Sequence, residues 1–116
     1  MCLRVVIVDD HARFRAQAAE LLTLERFSVV GDAETGAGGV ELSRTLAPDL
    51  VLLDVGLPDA NGFDLVTAMH ETGAAVVLTS SRALRDYGTR VSDSGADGFI
   101  TKAELTGEAI RSLLMN

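Results

Sequence analysis

Two stretches of this chain are apolar at every position, Leu50–Leu53 and Ala74–Leu78. As strands they present no polar side, so both of their faces need cover. That condition is met in the middle of a parallel sheet with helices above and below. Arg4–Val8 is a third strand candidate, short, apolar and β-branched after its first residue. Ser28–Gly31 and Gly98–Ile100 are weaker strand candidates. An amphipathic helix is expected over His11–Leu24, where Phe14, Ala18, Leu21 and Leu22 follow helical spacing. Gly36–Leu46 reads as a second helix, stopped by Pro48 and weakened at Gly38 and Gly39 by about 1 kcal/mol each. Leu65, Val66 and Met69 mark a third after the Gly56–Gly62 loop, and Leu84, Tyr87 and Val91 a weaker fourth that Gly88 interrupts. In the fifth, Thr106 is the cap, Glu108 suits the first turn and Leu105 staples onto Ile110. Ala109, Ile110, Leu113 and Leu114 form its apolar face. The pattern is five βα units, an α/β chain with a parallel sheet and helices on both faces.

Composition narrows the function. The 116 residues suffice for one core, so residues 1–116 are expected to form a single domain. Aromatic residues make up 4% with no Trp, so the core is aliphatic. The longest apolar run, Ala74–Leu78, is far below the roughly 20 residues of a membrane span. Cys2 is the only cysteine, which excludes an internal disulfide and cysteine-based metal sites. A cytoplasmic protein is expected. The net charge of −7, from 17 acidic against 10 basic residues, is the wrong sign for a general nucleic-acid surface.

In parallel α/β sheets, ligands bind beyond the carboxyl ends of the strands. The residues at those ends are Asp9 and Asp10 after the first run, Asp54 after the third, Thr79 after the fourth, and Lys102 two residues past the fifth. Three carboxylates, a hydroxyl and an ammonium thus come from four separate segments to one edge. Packed carboxylates raise one another's pKa unless a cation sits among them. An all-oxygen donor set favours a hard ion such as Mg²⁺, or Mn²⁺ in its place. A carboxylate beside such an ion can act as a nucleophile toward phosphorus, with Lys and hydroxyl groups sharing the transferred oxygens. Taken singly the residues have plainer readings: Asp9 and Asp10 as helix caps, Thr79 as a strand former, Lys102 as a surface lysine, Phe99 and Tyr87 as packing. His11 and His70 are given no role, and Arg13 and Arg15 are placed on the solvated side of the first helix.

Four segments in order resemble a known family. They are Val5-Val6-Ile7-Val8-Asp9-Asp10-His11, Leu50–Gly62 with its Asp54-Val55-Gly56-Leu57-Pro58, Val77-Leu78-Thr79-Ser80, and Gly95-Ala96-Asp97-Gly98-Phe99-Ile100-Thr101-Lys102. Together they are similar to the receiver domain of two-component response regulators, most of all the NarL/FixJ subfamily. The resemblance covers essentially the whole chain. It implies a CheY-like, flavodoxin-like sheet in the order 2-1-3-4-5. It implies that Asp54 takes a phosphoryl group from a sensor histidine kinase, with Asp10 on the metal ion, Asp9 acting largely through water, and the Gly56 carbonyl as a further ligand. Thr79 and Lys102 then engage the phosphoryl oxygens. Thr79 and Phe99 relay the change to the surface of the fourth helix, fifth strand and fifth helix. The next partner is a downstream protein, a fused output domain or a second copy of the chain. Such a domain catalyses its own phosphorylation and dephosphorylation and is not a turnover enzyme.

The chain departs from the family at two places. Gly56 stands where a larger side chain is usual, which is expected to leave Asp54 more open and the phosphoryl group shorter-lived. Ala103 stands where a cis-proline usually follows the lysine, which leaves the Lys102–Ala103 bond open to either isomer. The subfamily normally continues into a helix-turn-helix domain, so the sequence reads either as a stand-alone receiver or as part of a longer regulator. Two other functions compete with this one. An aspartyl phosphohydrolase of the haloacid-dehalogenase type wants Asp-x-Asp, yet the residue two after Asp54 is Gly56. A phosphate-independent binding module would not need Asp9, Asp10, Asp54, Thr79 and Lys102 together.

Overall fold

The computed structural model describes residues 2–115. Five strands form one parallel sheet: β1 (Arg4–Val8), β2 (Ser28–Ala33), β3 (Leu50–Asp54), β4 (Ala75–Ser80) and β5 (Gly98–Thr101), in the order β2-β1-β3-β4-β5. Five helices alternate with them: α1 (Ala12–Leu24), α2 (Gly36–Leu46), α3 (Val66–His70), α4 (Arg90–Ser94) and α5 (Gly107–Leu114).

Side-chain alternation along the strands divides the core in two. Val5, Ile7, Leu50, Leu52, Val77 and Ile100 face Ala18 and Leu22 of α1 and Ile110 of α5. Val6, Val8, Val51, Leu53, Val76 and Leu78 face Val66 and Met69 of α3 and Val40 and Leu42 of α2. Every residue of β3 is buried, as its unbroken apolar pattern requires. The glycines that weaken α2 have a packing role. A Cβ at Gly39 would lie 2.6 Å from a methyl of Val8, so glycine lets this helix lie close on β1.

The strands run further than the apolar runs: β3 takes in Asp54, β4 takes in Thr79 and Ser80, and β5 takes in Thr101. β2 continues through Asp32 and Ala33, with a register shift against β1 between Val5 and Val6. The expected fourth helix is divided. A 3-10 turn over Leu84–Tyr87 ends at Gly88, whose φ of 57° lies in the left-handed region, and α4 follows with no buried residue. α3 is likewise preceded by a 3-10 turn over Gly62–Leu65. At α5, the Thr106 hydroxyl accepts from the Ala109 N–H at 3.0 Å, as the capping pattern predicts. Leu105 and Ile110 join the same core cluster. Ile110 is fully buried, whereas Ala109, Leu113 and Leu114 are half-buried.

Candidate functional site

β1 has β2 on one side and β3 on the other, so the connections after β1 and β3 leave toward opposite faces of the sheet. A crevice opens between their carboxyl ends, the usual ligand position of such sheets. Val8 pairs with Leu53, and one step beyond this pair Asp9 meets Asp54. Asp54 pairs with Thr79 on β4, and adjacent strands are about 4.8 Å apart. Ser80 pairs with Thr101, the residue before Lys102. Strand register alone therefore assembles Asp9, Asp54, Thr79 and Lys102.

Asp9, Asp54 and Thr79 are buried, whereas Asp10 is exposed. The Lys102 ammonium lies 2.7 Å from Asp9 Oδ2 and 3.5 Å from Asp54 Oδ2, and also sits 4.7 Å over the Phe14 ring. Burial pushes the Asp54 carboxyl up from its ordinary value, and the Asp9 charge adds to the rise. Lys102 and the Gly56 N–H oppose this, and Asp10 raises it slightly further. The Thr79 hydroxyl oxygen is buried with no hydrogen-bond partner. Such an orphan costs about 1–3 kcal/mol, which an arriving acceptor would recover.

Oxygens of Asp9, Asp10 and Asp54 and a ring nitrogen of His11 lie within 4.8 Å of one another. This donor set fits a divalent cation. The His11 ring nitrogen stands beside the carboxylate oxygens that the sequence singled out. His11 precedes α1, and its backbone N–H donates to Asp9 Oδ1 at 2.8 Å. Its Nδ1 lies 2.9 Å from Asp9 Oδ1 and 3.1 Å from Asp10 Oδ1.

The model of the response regulator receiver domain matches residues 5–113. The chain belongs to this family. Among curated relatives, BvgA of Bordetella pertussis, a virulence-factor transcription regulator, is 31% identical over 111 residues, covering 94% of this chain and 53% of BvgA. The nitrate/nitrite response regulator NarL of Escherichia coli K12 is 34% identical over 102 residues, covering 84% of this chain and 47% of NarL. This chain thus spans about half the length of these relatives. The signal receiver domain of NarL from Mycobacterium tuberculosis superposes with a TM-score of 0.85 at 29% identity, covering 99% of this chain and 98% of that one. Response regulators of this family are signalling proteins of two-component systems. Among the described residues no helix is long and apolar enough to cross a membrane.

Within the receiver, the structure brings Asp9, Asp10, Asp54 and Lys102 together, and places Thr79 beside Asp54 and Gly56 two residues after it. Gly56 is exposed, and a Cβ there would meet nothing within 4 Å, so the space over Asp54 is open on that side. The Lys102–Ala103 bond is trans. Phe99 lies apart from the acids, half-buried against the second core cluster. Tyr87 stands between it and Phe63, with ring centroids 5.9 and 5.4 Å away, and its hydroxyl lies 2.5 Å from Ser80 Oγ.

Several residues matter that sequence pattern alone passes over or places differently. Arg15 is not on the solvated side: its guanidinium donates to the Asp9 carbonyl at 2.7 Å and approaches Asp32. Its helical position, four after His11, could have signalled this, because it faces the same edge. Asp59 caps α2 from another loop, accepting from the Gly36 and Ala37 N–H groups at 2.7 and 3.0 Å. Those two bonds hold its carboxyl below the ordinary range. His70 pairs with Asp97 at 2.9 Å, away from the site. Nothing local in the sequence marks the partners of Asp59 or His70, which are 22 or more residues away.

Proposed function

We propose that Asp54 accepts a phosphoryl group from the phosphohistidine of a sensor histidine kinase. Asp10, Asp54 and the Gly56 carbonyl would hold a single Mg²⁺ or Mn²⁺, with Asp9 acting largely through water. The observation that carries this reading is Asp54 itself, buried beside Asp9 and Lys102 and paired in register with a Thr79 hydroxyl that lacks a partner. An Asp54 oxygen attacks phosphorus, a P–O bond forms, and the P–N bond to the kinase imidazole breaks. A bound cation would supply charge neutralisation on the transferred oxygens. Lys102 moves from its contact with Asp9 toward those oxygens, and Thr79 donates its hydroxyl to one of them. Water later attacks the acyl phosphate and releases phosphate, so the domain promotes both steps on itself and turns over no external substrate.

Mass spectrometry after incubation with acetyl phosphate and Mg²⁺ tests the acceptor. An increase of about 80 Da, one phosphoryl group, is expected. Catalytic consumption of many phosphoesters would point to a phosphohydrolase, and no reaction at all to a phosphate-independent module.

Output is the second half of the proposal. Thr79, drawn toward the phosphoryl group, leaves space that Phe99 can fill, and the change passes to the face of α4, β5 and α5. α4 is the natural responder, since it has no buried residue and Gly88 breaks its approach. The partner on that face is a downstream protein, a fused output segment or a second copy of this chain. The transcription-regulating relatives favour an output of that kind. Hydrogen exchange with Mg²⁺ and beryllofluoride, a phosphoryl mimic, is expected to change protection over residues 84–100 more than over α1. A change confined to the surroundings of Asp54 would refute the relay while leaving the acceptor intact.

A further inference from the structure

We propose that Arg15 is a positioning residue for the acidic pocket: its guanidinium holds the peptide between Asp9 and Asp10, and so aims the Asp10 carboxylate at a divalent cation. The inference rests on the reading of Asp10 and Asp54 as cation ligands. It adds to that reading the group that sets how tightly the ion is held.

The first ground is where the guanidinium sits. Arg15 Nη1 donates to the Asp9 carbonyl at 2.7 Å, a charge-assisted bond. The Asp9 carbonyl and the Asp10 N–H belong to one planar peptide unit, so fixing one fixes the other. The Asp9 N–H is tied as well, to the Ala33 carbonyl at 3.0 Å. The Arg15 backbone N–H donates to the His11 carbonyl at 3.0 Å. Arg15 thus grips the chain on both sides of Asp10. It is itself held: its side chain is only 17% exposed, and its Nε lies 3.4 Å from Asp32 Oδ2 near the end of β2.

The second ground is what holds the two acids. The Asp9 carboxylate has partners of its own, the His11 N–H at 2.8 Å and the Lys102 ammonium at 2.7 Å. The Asp10 carboxylate is exposed, and the His11 ring 3.1 Å from it is more exposed still. Its aim therefore comes from its backbone, which Arg15 anchors. Mg²⁺ demands near-ideal octahedral geometry, so a ligand that wanders weakens binding. Charge argues the other way, which makes the role separable. A positive group near the pocket repels the ion, so by Coulomb's law alone its removal would tighten binding.

The test titrates the whole chain with Mg²⁺ and follows the amide resonances of Asp10, Asp54 and Gly56 by NMR. Arg15→Met keeps a long apolar stem on α1 and removes both the donor and the charge. It is expected to weaken Mg²⁺ binding roughly tenfold. In metal-free solution it should also broaden the Asp10 amide resonance while leaving those of α5 sharp. Arg15→Lys keeps the charge but not the fork, and should fall between the parent and Arg15→Met, at a loss of about threefold. If Arg15→Met does not fold, that loss in Arg15→Lys, against none, decides. Arg13→Met removes a charge from an exposed position of the same helix and should stay within about twofold of the parent. Unchanged or tighter Mg²⁺ binding in Arg15→Met would overturn the proposal, as would an equal loss in Arg13→Met. Lower stability in urea with the parent's Mg²⁺ affinity would overturn it too, because Arg15 would then support only the fold. Asp10→Ala separates this from the reading beneath it. If Asp10→Ala weakens binding and Arg15→Met does not, the pocket stands and only the role of Arg15 falls. If Asp10→Ala binds Mg²⁺ like the parent, both fall.

Discussion

Replacing Asp54 with asparagine is expected to abolish phosphorylation and, in metal-free solution at neutral pH, to make the folded protein more stable. Burial first, then the Asp9 charge, hold this carboxyl above its ordinary value of 3.8. A folded-state pKa above the unfolded one means that the ionised group opposes folding at neutral pH. Asparagine removes that charge. The direction follows from the raised pKa: the variant is expected to unfold at a higher urea concentration than the parent. The gain should shrink as the pH falls toward and below 3.8, where Asp54 is protonated in both states. Urea melts of parent and Asp54→Asn in a chelator, at about pH 7 and about pH 4, measure both quantities. Added Mg²⁺ should narrow or reverse the difference, because only the parent keeps the full ligand set. A variant no more stable than the parent in chelator would mean that the three acids do not strain the pocket.

The second large effect is at Gly62. A Cβ there would stand 2.3 Å from the Asp54 carbonyl oxygen and 2.9 Å from the Val55 Cα. Both are backbone atoms and cannot swing aside. Gly62 also donates its N–H to the Val55 carbonyl at 2.8 Å, which draws it against the end of β3. Gly62→Ala is expected to cost about 3 kcal/mol and to push Asp54 out of line, weakening divalent-cation binding as well. Gly56→Ala, with open space around it, should stay within about 0.5 kcal/mol of the parent. Equal urea midpoints for the two variants would contradict this steric account.

Much of the sheet was legible because burial on both faces leaves an unbroken apolar run, and β3 and β4 carry nothing else until their last residues. Those last residues, Asp54, Thr79 and Ser80, look like loop to a hydrophobic pattern, yet ladder hydrogen bonds carry the strand through them. The position of the site followed from topology, since parallel strands bring their carboxyl ends to one edge. The fourth helix was harder. Its stripe is real, but a left-handed glycine at 88 divides it, and α4 has no fully buried residue. The contacts of His11 with Asp9 and Asp10 depend on where an imidazole turns at the start of a helix, and no periodicity encodes that. Asp59 and Gly62 were missed for a related reason: a cap supplied from another loop and a steric limit set by another backbone exist only once distant segments meet.

The loop that follows β3 is tied down along most of its length. Gly56 and Asn61 form an antiparallel bridge, the Asn61 side chain accepts from the Phe63 N–H, and Asp59 grips the start of α2. The chain between these ties has already given up its conformational entropy on folding. An ion recruiting the Gly56 carbonyl therefore need not freeze a wandering segment, and the ordering penalty that usually erodes affinity is small. The Gly56 carbonyl, proposed above as a ligand, would thus be preorganised by contacts elsewhere in the loop. Cutting the Asp59 tether would loosen the grip on a cation from a distance, by restoring freedom to a strap whose own donor atoms are unchanged.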